Sequence, residues 1–375
     1  EELTLFERIR SVLEELGPTF VKLGQILATR PDLIPPEWAE EFKVLQGDCS
    51  KVDFEKIFSI LEAEFPGRLD LIFSSINEKP LAAASMAQVH QAVLSNGEHV
   101  VIKVLRPGIR QKVEEDMGLI ETFAQFVEQY FSNLGYSPVI VAKEFSRVIM
   151  KEVNLIYEGQ ATEKLRRFFL HDPSTSFPEV YWQATSRNIL TLEEIQGQIL
   201  SNVSPSKLTA AERRSIVSHG TDAVFKQCLR YGFFHADPHP GNIILKPDNT
   251  ICFIDCGMTG QLDKNTAENL IDLVASILTG NINKLCRVVI ELTSVNPAVT
   301  ETREFRTDLL HLTGQFEETN LERLDISSLL SDFFGMLQRY KIQCSPDLLL
   351  LTKALTTIEG VAEHFDPDFD VLAHV

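Results

Sequence analysis

The segment Phe234-His235-Ala236-Asp237-Pro238-His239-Pro240-Gly241-Asn242 concentrates more reactive side chains than any other stretch of this chain. Two prolines and a glycine make it a rigid loop rather than a strand or helix. Ile243-Ile244-Leu245 follows, then a turn at Lys246-Pro247-Asp248-Asn249, then Ile251-Cys252-Phe253-Ile254 running into Asp255-Cys256-Gly257. That pattern predicts an antiparallel hairpin, whose open ends lie roughly 5 Å apart. Asn242 opens its first strand and Asp255 closes its second, so the two side-chain oxygens can converge on one cation. Asp237 precedes Asn242 by five residues and falls near the same point. Hard oxygen ligands of this kind suit Mg²⁺ bridging nucleotide phosphates, and a third carboxylate is needed to orient a hydroxyl or water nucleophile. Asn242 and Asp255 are the candidate metal ligands, and Asp237 is the candidate base.

Two plainer uses of the same residues compete with that chemistry. Asp237 could cap a turn while Asp255 merely ends a strand. His235, Asp237 and His239 could instead hold a transition metal, but residues at i, i+2 and i+4 share a face only on an extended strand, which Pro238 and Pro240 oppose. His235 is read as a support for the loop.

Phosphate chemistry also calls for a cation on an earlier strand. Val101, Lys103 and Leu105 share one face of a β-rich run, and Val100, Ile102 and Val104 share the other. A lysine inside such an apolar run needs an anionic partner, ATP phosphate or a glutamate; the alternative is an edge lysine reaching out to water. Glu152 lies within the helical apolar stripe Phe145, Val148, Ile149, Leu155, Ile156, where a carboxylate is costly unless paired. Lys103–Glu152 is the expected ion pair, with Glu158 further along the helix as second choice. Leu81-Ala82-Ala83-Ala84-Ser85-Met86-Ala87 stands where a phosphate loop belongs. Its small side chains allow backbone amides to approach phosphate, although alanine lacks glycine's freedom at positive φ. An ordinary helix start is the simpler reading of that run.

The elements that must position these groups follow from periodicity. Leu3, Phe6, Ile9, Leu13 and Leu16 predict a helix stopped at Gly17-Pro18, and a second helix runs from about Thr19 to Thr29. Helical patterns continue over Trp38–Leu45 and Phe54–Phe65. The period then changes to two at Val89–Leu94 and Val100–Leu105, joined by Ser95-Asn96-Gly97, a strong tight-turn signal. Helices resume over Val113–Tyr130 and Val139–Phe169. A strand is expected at Ile189–Leu192, and after Ser206 the chain is mostly helical. Strands followed by helices predict an α+β, two-lobed arrangement. The expected divisions are a helical extension over 1–75, a β-containing lobe over 76–196 and a helical lobe over 197–375.

Composition sets outer bounds. Fifty-three acidic against 35 basic residues leave a net charge of −18, which repels phosphate backbones and argues against nucleic acid as a main partner. No apolar run reaches the length of about 18 residues that spans a membrane; the nearest, around Leu348–Leu351, is soon interrupted by Lys353 and Glu359. Cys49, Cys228, Cys252, Cys256, Cys286 and Cys344 form no CxxC pair and read as small buried hydrophobes in a reducing compartment. Glu1 is not an initiator methionine, so both ends read as cuts within a longer protein.

Taken together, Lys22-Leu23-Gly24-Gln25, Ala82-Ala83-Ala84-Ser85, Val101-Ile102-Lys103, Asp237 to Asn242 and Asp255-Cys256-Gly257 resemble the UbiB-type atypical kinases, as does the tail Asp366-Pro367-Asp368-Phe369-Asp370. The resemblance implies a protein-kinase-like fold with an N-terminal helical extension that carries the Lys-x-Gly-Gln motif over the active site. Lys22 and Gln25 would then be active-site residues, although with Thr29 they otherwise make only one polar helix face. It also implies ATP and Mg²⁺ as cofactors, ATPase-like behaviour, and lipid, prenylquinone-precursor or quinone-pathway protein clients at a membrane. The chain would sit on the cytoplasmic or organelle-matrix side, in peripheral contact with that membrane. Two positions depart from the family pattern: Asn154 replaces the second acid of a Glu-x-Asp pair, and Cys256 stands where phenylalanine is common. Two other readings are a small-molecule phosphotransferase of the aminoglycoside-kinase kind, against which the Lys-x-Gly-Gln helix speaks, and a nucleotide-gated scaffold without useful turnover.

Overall fold

Along the strand His99–Leu105, Val100, Ile102 and Val104 are sealed from solvent while Val101 and Lys103 between them are only partly covered. This period-two pattern is that of a strand with two differently packed faces. The structure is a computed structural model that describes residues 4–28, 30, 33–34, 36–45, 50–130, 137–293, 295–316 and 326–369. Glu1, Leu3, Thr29, Cys49 and Asp370 lie outside the described residues. The chain divides into two compact units, one of residues 1–164 and 178–195, the other of residues 165–177 and 196–375.

The first unit opens with α1 (Leu5–Leu16), α2 (Pro18–Ala28), α3 (Pro36–Lys43), α4 (Phe54–Glu64) and the single turn α5 (Leu69–Ile72). Strands β1 (Phe73–Ile76), β2 (Ala82–Ala83), β3 (Ala87–Leu94) and β4 (His99–Leu105) follow, then α6 (Ile109–Tyr130), α7 (Pro138–Glu152) and α8 (Leu155–Phe168), whose residues from Leu165 on are counted with the second unit. After β5 (Thr175–Ser176), which belongs to the second unit, β6 (Ile189–Glu193) returns to complete an antiparallel sheet in the order β1-β3-β4-β6, with β2 on β3. The expected turn joins β3 to β4, with Gly97 at φ 91°, a conformation that glycine adopts without strain. One sheet face packs Val100, Ile102, Val104 and Ile189 against Ile57 and Leu61 of α4. The other packs Leu105, Leu190 and Leu192 against Val113 and Met117 of α6 and Phe145 and Ile149 of α7. Burying each such side chain stabilises the fold by roughly 1.5–3 kcal/mol. A separate cluster of Val21, Phe42 and Leu45 joins the N-terminal helices.

Two sequence expectations change here. The single helix over Val139–Phe169 is two helices, broken at Val153-Asn154. Arg110 Nη2 donates to the Val153 carbonyl at the break, and Asn154 Oδ1 accepts from the Ile156 amide, so the new helix begins with an asparagine cap. The alanine-rich run is no helix start: Ala82 and Ala83 pair with Val89 and Gln88, and the Ala84 amide donates to the Ala87 carbonyl across a tight reversal.

The second unit adds β7 (Gln198–Ile199), α9 (Ala210–Phe225), β8 (Phe233–His235), β9 (Ile243–Leu245), β10 (Ile251–Phe253) and β11 (Thr259–Gln261). Its helices continue as α10 (Lys264–Leu278), α11 (Ile282–Thr293), α12 (Pro297–Thr300), α13 (Arg303–Phe316), α14 (Ile326–Arg339) and α15 (Pro346–Phe365). One sheet runs β5-β10-β9-β7 and a second pairs β8 with β11. Between α9 and β8 the backbone forms a π-helical turn at Lys226–Arg230. Mixed strands and helices in these two units make the chain α+β.

Candidate active site

In the second unit, β9 and β10 form the predicted hairpin, with Ile243 opposite Phe253. The Ile254 amide extends the ladder by donating to the Asn242 carbonyl at 2.8 Å, which makes Asn242 and Asp255 neighbours at the open end. Asn242 Nδ2 donates to the Asp237 carbonyl at 3.1 Å. This ties the loop across its own width and reserves Oδ1, the acceptor, for another partner. Asp255 sits at φ 57°, in the left-handed region that side chains enter at roughly 1–2 kcal/mol; such strain collects at functional positions.

His235 locks this loop to the hairpin. Its ring is completely buried; Nδ1 accepts from the Asp237 amide at 3.0 Å and Nε2 faces the Ile254 carbonyl at 3.2 Å. An amide can only donate, so Nδ1 is unprotonated and Nε2–H is the donor: a neutral imidazole. Burial pushes its pKa down, against the pull of the Ile254 carbonyl and the nearby Asp237 and Asp255 charges. Pro240–Asn242 forms one tight turn, with the His239 ring accepting from the Gly241 amide at 3.1 Å. Among the described residues no three His, Cys, Asp or Glu side chains group to hold a metal, so the His-Asp-His alternative finds no support. One carboxylate and one amide oxygen are too few for an all-protein cage. They fit a Mg²⁺ that completes its shell with phosphate oxygens and water, and Asn242 and Asp255 would hold it.

In the first unit, Lys103 does not pair with Glu152. Its ammonium meets both oxygens of Glu158, each at 2.8 Å, and the Glu158 side chain is only 8% exposed. The helix break is the reason: the apolar stripe through Glu152 does not continue as one helix, and the pairing carboxylate belongs to α8. Gly159 lets α8 approach closely, since a Cβ there would press on Leu190 and Trp182 at 3.1 Å. Leu190 is the cross-strand neighbour of Lys103, so this approach sets Glu158 over the lysine.

Glu152 pairs instead with Lys22 of α2, at 2.9 Å. Gly24 is buried at a point where a side chain would collide with Leu45, and Gln25 donates to the Leu45 carbonyl at 3.1 Å. The Lys-x-Gly-Gln residues therefore dock the N-terminal helices within this unit. Of the departures, Asn154 caps α8, and Cys256 is buried. Cys228, Cys252, Cys286 and Cys344 are buried too, with no disulfide among them.

Two residues escaped the sequence reading. Gln227, buried in the π-helical turn, accepts the His235 amide at 2.8 Å and so holds the strand that leads into the loop; π turns recur at functional sites. Lys353 of α15 places its ammonium 3.1 Å from Asp237 Oδ1. Its signal was visible as the lone cation that breaks an apolar run.

Residues 44–289 match the ABC1 atypical kinase-like domain, and residues 311–370 match the UbiB helical domain. The chain is 32% identical to the Arabidopsis thaliana protein "activity of bc1 complex kinase 3, chloroplastic", over 97% of this chain and 51% of that protein. It is also 32% identical to "probable protein kinase UbiB" of Aliivibrio fischeri, over 99% of this chain and 69% of that protein. It thus spans from about half to about two thirds of the length of these curated relatives. Among solved structures, the Mycobacterium tuberculosis protein Rv3197, in its complex with erythromycin, shares the fold. The TM-score is 0.66 at 20% identity, covering 96% of this chain and 91% of that one. The fold is kinase-like, and with the domain model matching residues 44–289 and relatives aligned over nearly its whole length, the chain belongs to the ABC1/UbiB family of atypical kinase-like proteins.

Proposed function

We propose that the chain binds Mg-ATP and hydrolyses it, or transfers its terminal phosphoryl group, in support of prenylquinone (ubiquinone) synthesis. The observation that carries this reading is the lacing of Asp237, Asn242 and Asp255 at one end of one hairpin, through the Asn242–Asp237 and Ile254–Asn242 hydrogen bonds. Asp237 accepts the proton of the attacking water or hydroxyl. Asn242 and Asp255 hold the cation, which when bound neutralises charge on the phosphate oxygens. Lys103 binds phosphate, and Glu158, in the role first assigned to Glu152, holds its ammonium in place. Ala82, Ala83, Ala84 and Ser85 bring backbone amides toward the phosphates, and Lys22 and Gln25 are counted among the nucleotide-site residues on the family resemblance. Lipid or quinone-precursor clients and peripheral membrane contact belong to the same proposal. Among the described residues no helix is long and apolar enough to cross a membrane.

The test is hydrolysis by the Asp255→Asn variant. We expect a loss of roughly 100-fold or more, the scale on which one charge-stabilising group is felt; a variant as fast as wild type would refute the metal role. Nucleotide at about 100 times its dissociation constant should stabilise the fold by roughly 2.7 kcal/mol. Stabilisation without any turnover would favour the scaffold, and turnover stimulated by vesicles carrying a prenylated phenol would favour the quinone pathway.

A further inference from the structure

Asp237 is held in three places, and only two of the holds come from its own loop. Its amide donates to His235 and its carbonyl accepts from Asn242. The carboxylate, which must face the nucleophile, meets the ammonium of Lys353 at 3.1 Å. Lys353 lies on α15, inside the UbiB helical domain and beyond the end of the kinase-like match at residue 289. The loop over residues 234–242 carries no lysine or arginine of its own.

The helix that carries Lys353 is well fixed. Leu348, Leu349, Leu351, Ala354, Leu355 and Ile358 are buried. Ser345 caps its first turn, and Asp347 accepts the Gln261 amide of β11 at 2.9 Å. The ammonium also lies 3.8 Å from Met258 Sδ, and the Met258 carbonyl accepts the Ala236 amide. Lys353 therefore stands where the loop after Asp255 meets the loop before Asp237. Stability alone does not account for this lysine: with Lys353 28% and Asp237 35% exposed, an ion pair of this kind contributes little to stability.

We propose that Lys353 is a positioning residue for Asp237: the helical domain supplies the cation that fixes the base's carboxylate for proton transfer. This role rests on the Mg-ATP reading above. A base displaced by about 1 Å can lose roughly 100-fold in rate while substrate binding is spared.

The experiment compares Lys353→Met, Lys353→Arg and Asp237→Asn in the full chain, reading kcat and KM for ATP hydrolysis and the thermal shift produced by MgADP. Lys353→Met should lower kcat about 10- to 100-fold with KM and the MgADP shift within about twofold of wild type, and Lys353→Arg should recover most of the rate. Lys353→Gln, polar but uncharged and one atom shorter, gives the same comparison if the methionine variant melts early. A Lys353→Met or Lys353→Gln enzyme with wild-type kcat, beside an impaired Asp237→Asn, overturns the positioning role and leaves the ATPase reading standing. So does an arginine variant as slow as the methionine one. Wild-type rates in Asp237→Asn would overturn the ATPase reading itself.

Discussion

Two lysine–glutamate pairs flank the break between α7 and α8, and they differ in how the carboxylate is held. Glu158 is 8% exposed and meets Lys103 with both oxygens at 2.8 Å; Glu152 is 19% exposed and meets Lys22 at 2.9 Å, the two lysines being about equally covered at 18% and 17%. The first pair joins a strand of the sheet to a helix pressed against it by Gly159. The second joins the middle of α2 to the last residue of α7. Removing water from a charge raises both the strength of its pairing and the penalty for breaking it. The deeper carboxylate therefore keeps an ammonium in one place at a higher penalty for its loss, and the shallower one should dock its helix more weakly.

The sharpest test of that contrast is Glu158→Ala. It leaves the Lys103 ammonium largely buried without its carboxylate, and breaking a buried pair costs roughly 3–5 kcal/mol. Because Lys103 keeps 18% exposure, the lower end, about 3 kcal/mol, is expected as a shift in the urea midpoint. The double variant Lys103→Met/Glu158→Met should regain most of that stability while ATP hydrolysis stays at background. If stability and hydrolysis recovered together, the pair would be a packing feature only.

A lysine–aspartate pair in the second unit extends the scale. Asp172, 13% exposed, meets Lys226 at 2.8 Å, and it also accepts from the Ser174 hydroxyl and amide. Burial works against the charge, but the Lys226 and Ser174 hydrogen bonds prevail and hold its pKa at about 2 instead of 3.8. A depressed carboxylate pKa adds stability that is fully present above the unfolded value and lost as pH falls through the folded one. Wild type should therefore exceed Asp172→Asn by roughly 1–2 kcal/mol at pH 7, discounted for the partly exposed Lys226. The difference should vanish between pH 4 and pH 2. Equal stability at pH 7 would show that water screens the pair.

How far the sequence carried this reading follows from the range of each interaction. The β3–β4 turn was legible because Asn96-Gly97 dictates its own backbone, and the gathering of Asp237, Asn242 and Asp255 was legible because a short hairpin leaves one arrangement. Sequence spacing points Lys103 to Glu152 because the apolar pattern runs unbroken through Val153-Asn154, and Arg110, which meets the Val153 carbonyl at the break, is distant in sequence. Strands β2, β5, β7, β8 and β11 have two or three residues, too few for a period of two to register. Lys353 showed as an interruption in an apolar helix, but the carboxylate that explains it lies on another element.

The smallest expected effect belongs to Lys22–Glu152, and it decides whether the contrast is real. The carboxylate is the less buried of the two glutamates, Glu152 at 19% against Glu158 at 8%, while the lysines are about equally covered. A double-mutant cycle of Lys22→Met and Glu152→Gln should give a coupling of about 0.5–1 kcal/mol, the range of a well-placed pair near the surface. That coupling should fall as salt rises from low to physiological strength, where the screening length shortens to about 8 Å; the Lys103–Glu158 coupling should hold. Global stability should hardly change in Glu152→Gln, because the Val21, Phe42 and Leu45 cluster still joins the N-terminal helices. The loss should appear locally, as faster amide exchange in α2 at unchanged exchange in β4. A salt-independent coupling of 2 kcal/mol or more would place this pair in the same class as the buried one, and α2 would then be a fixed wall of the unit instead of a weakly docked one.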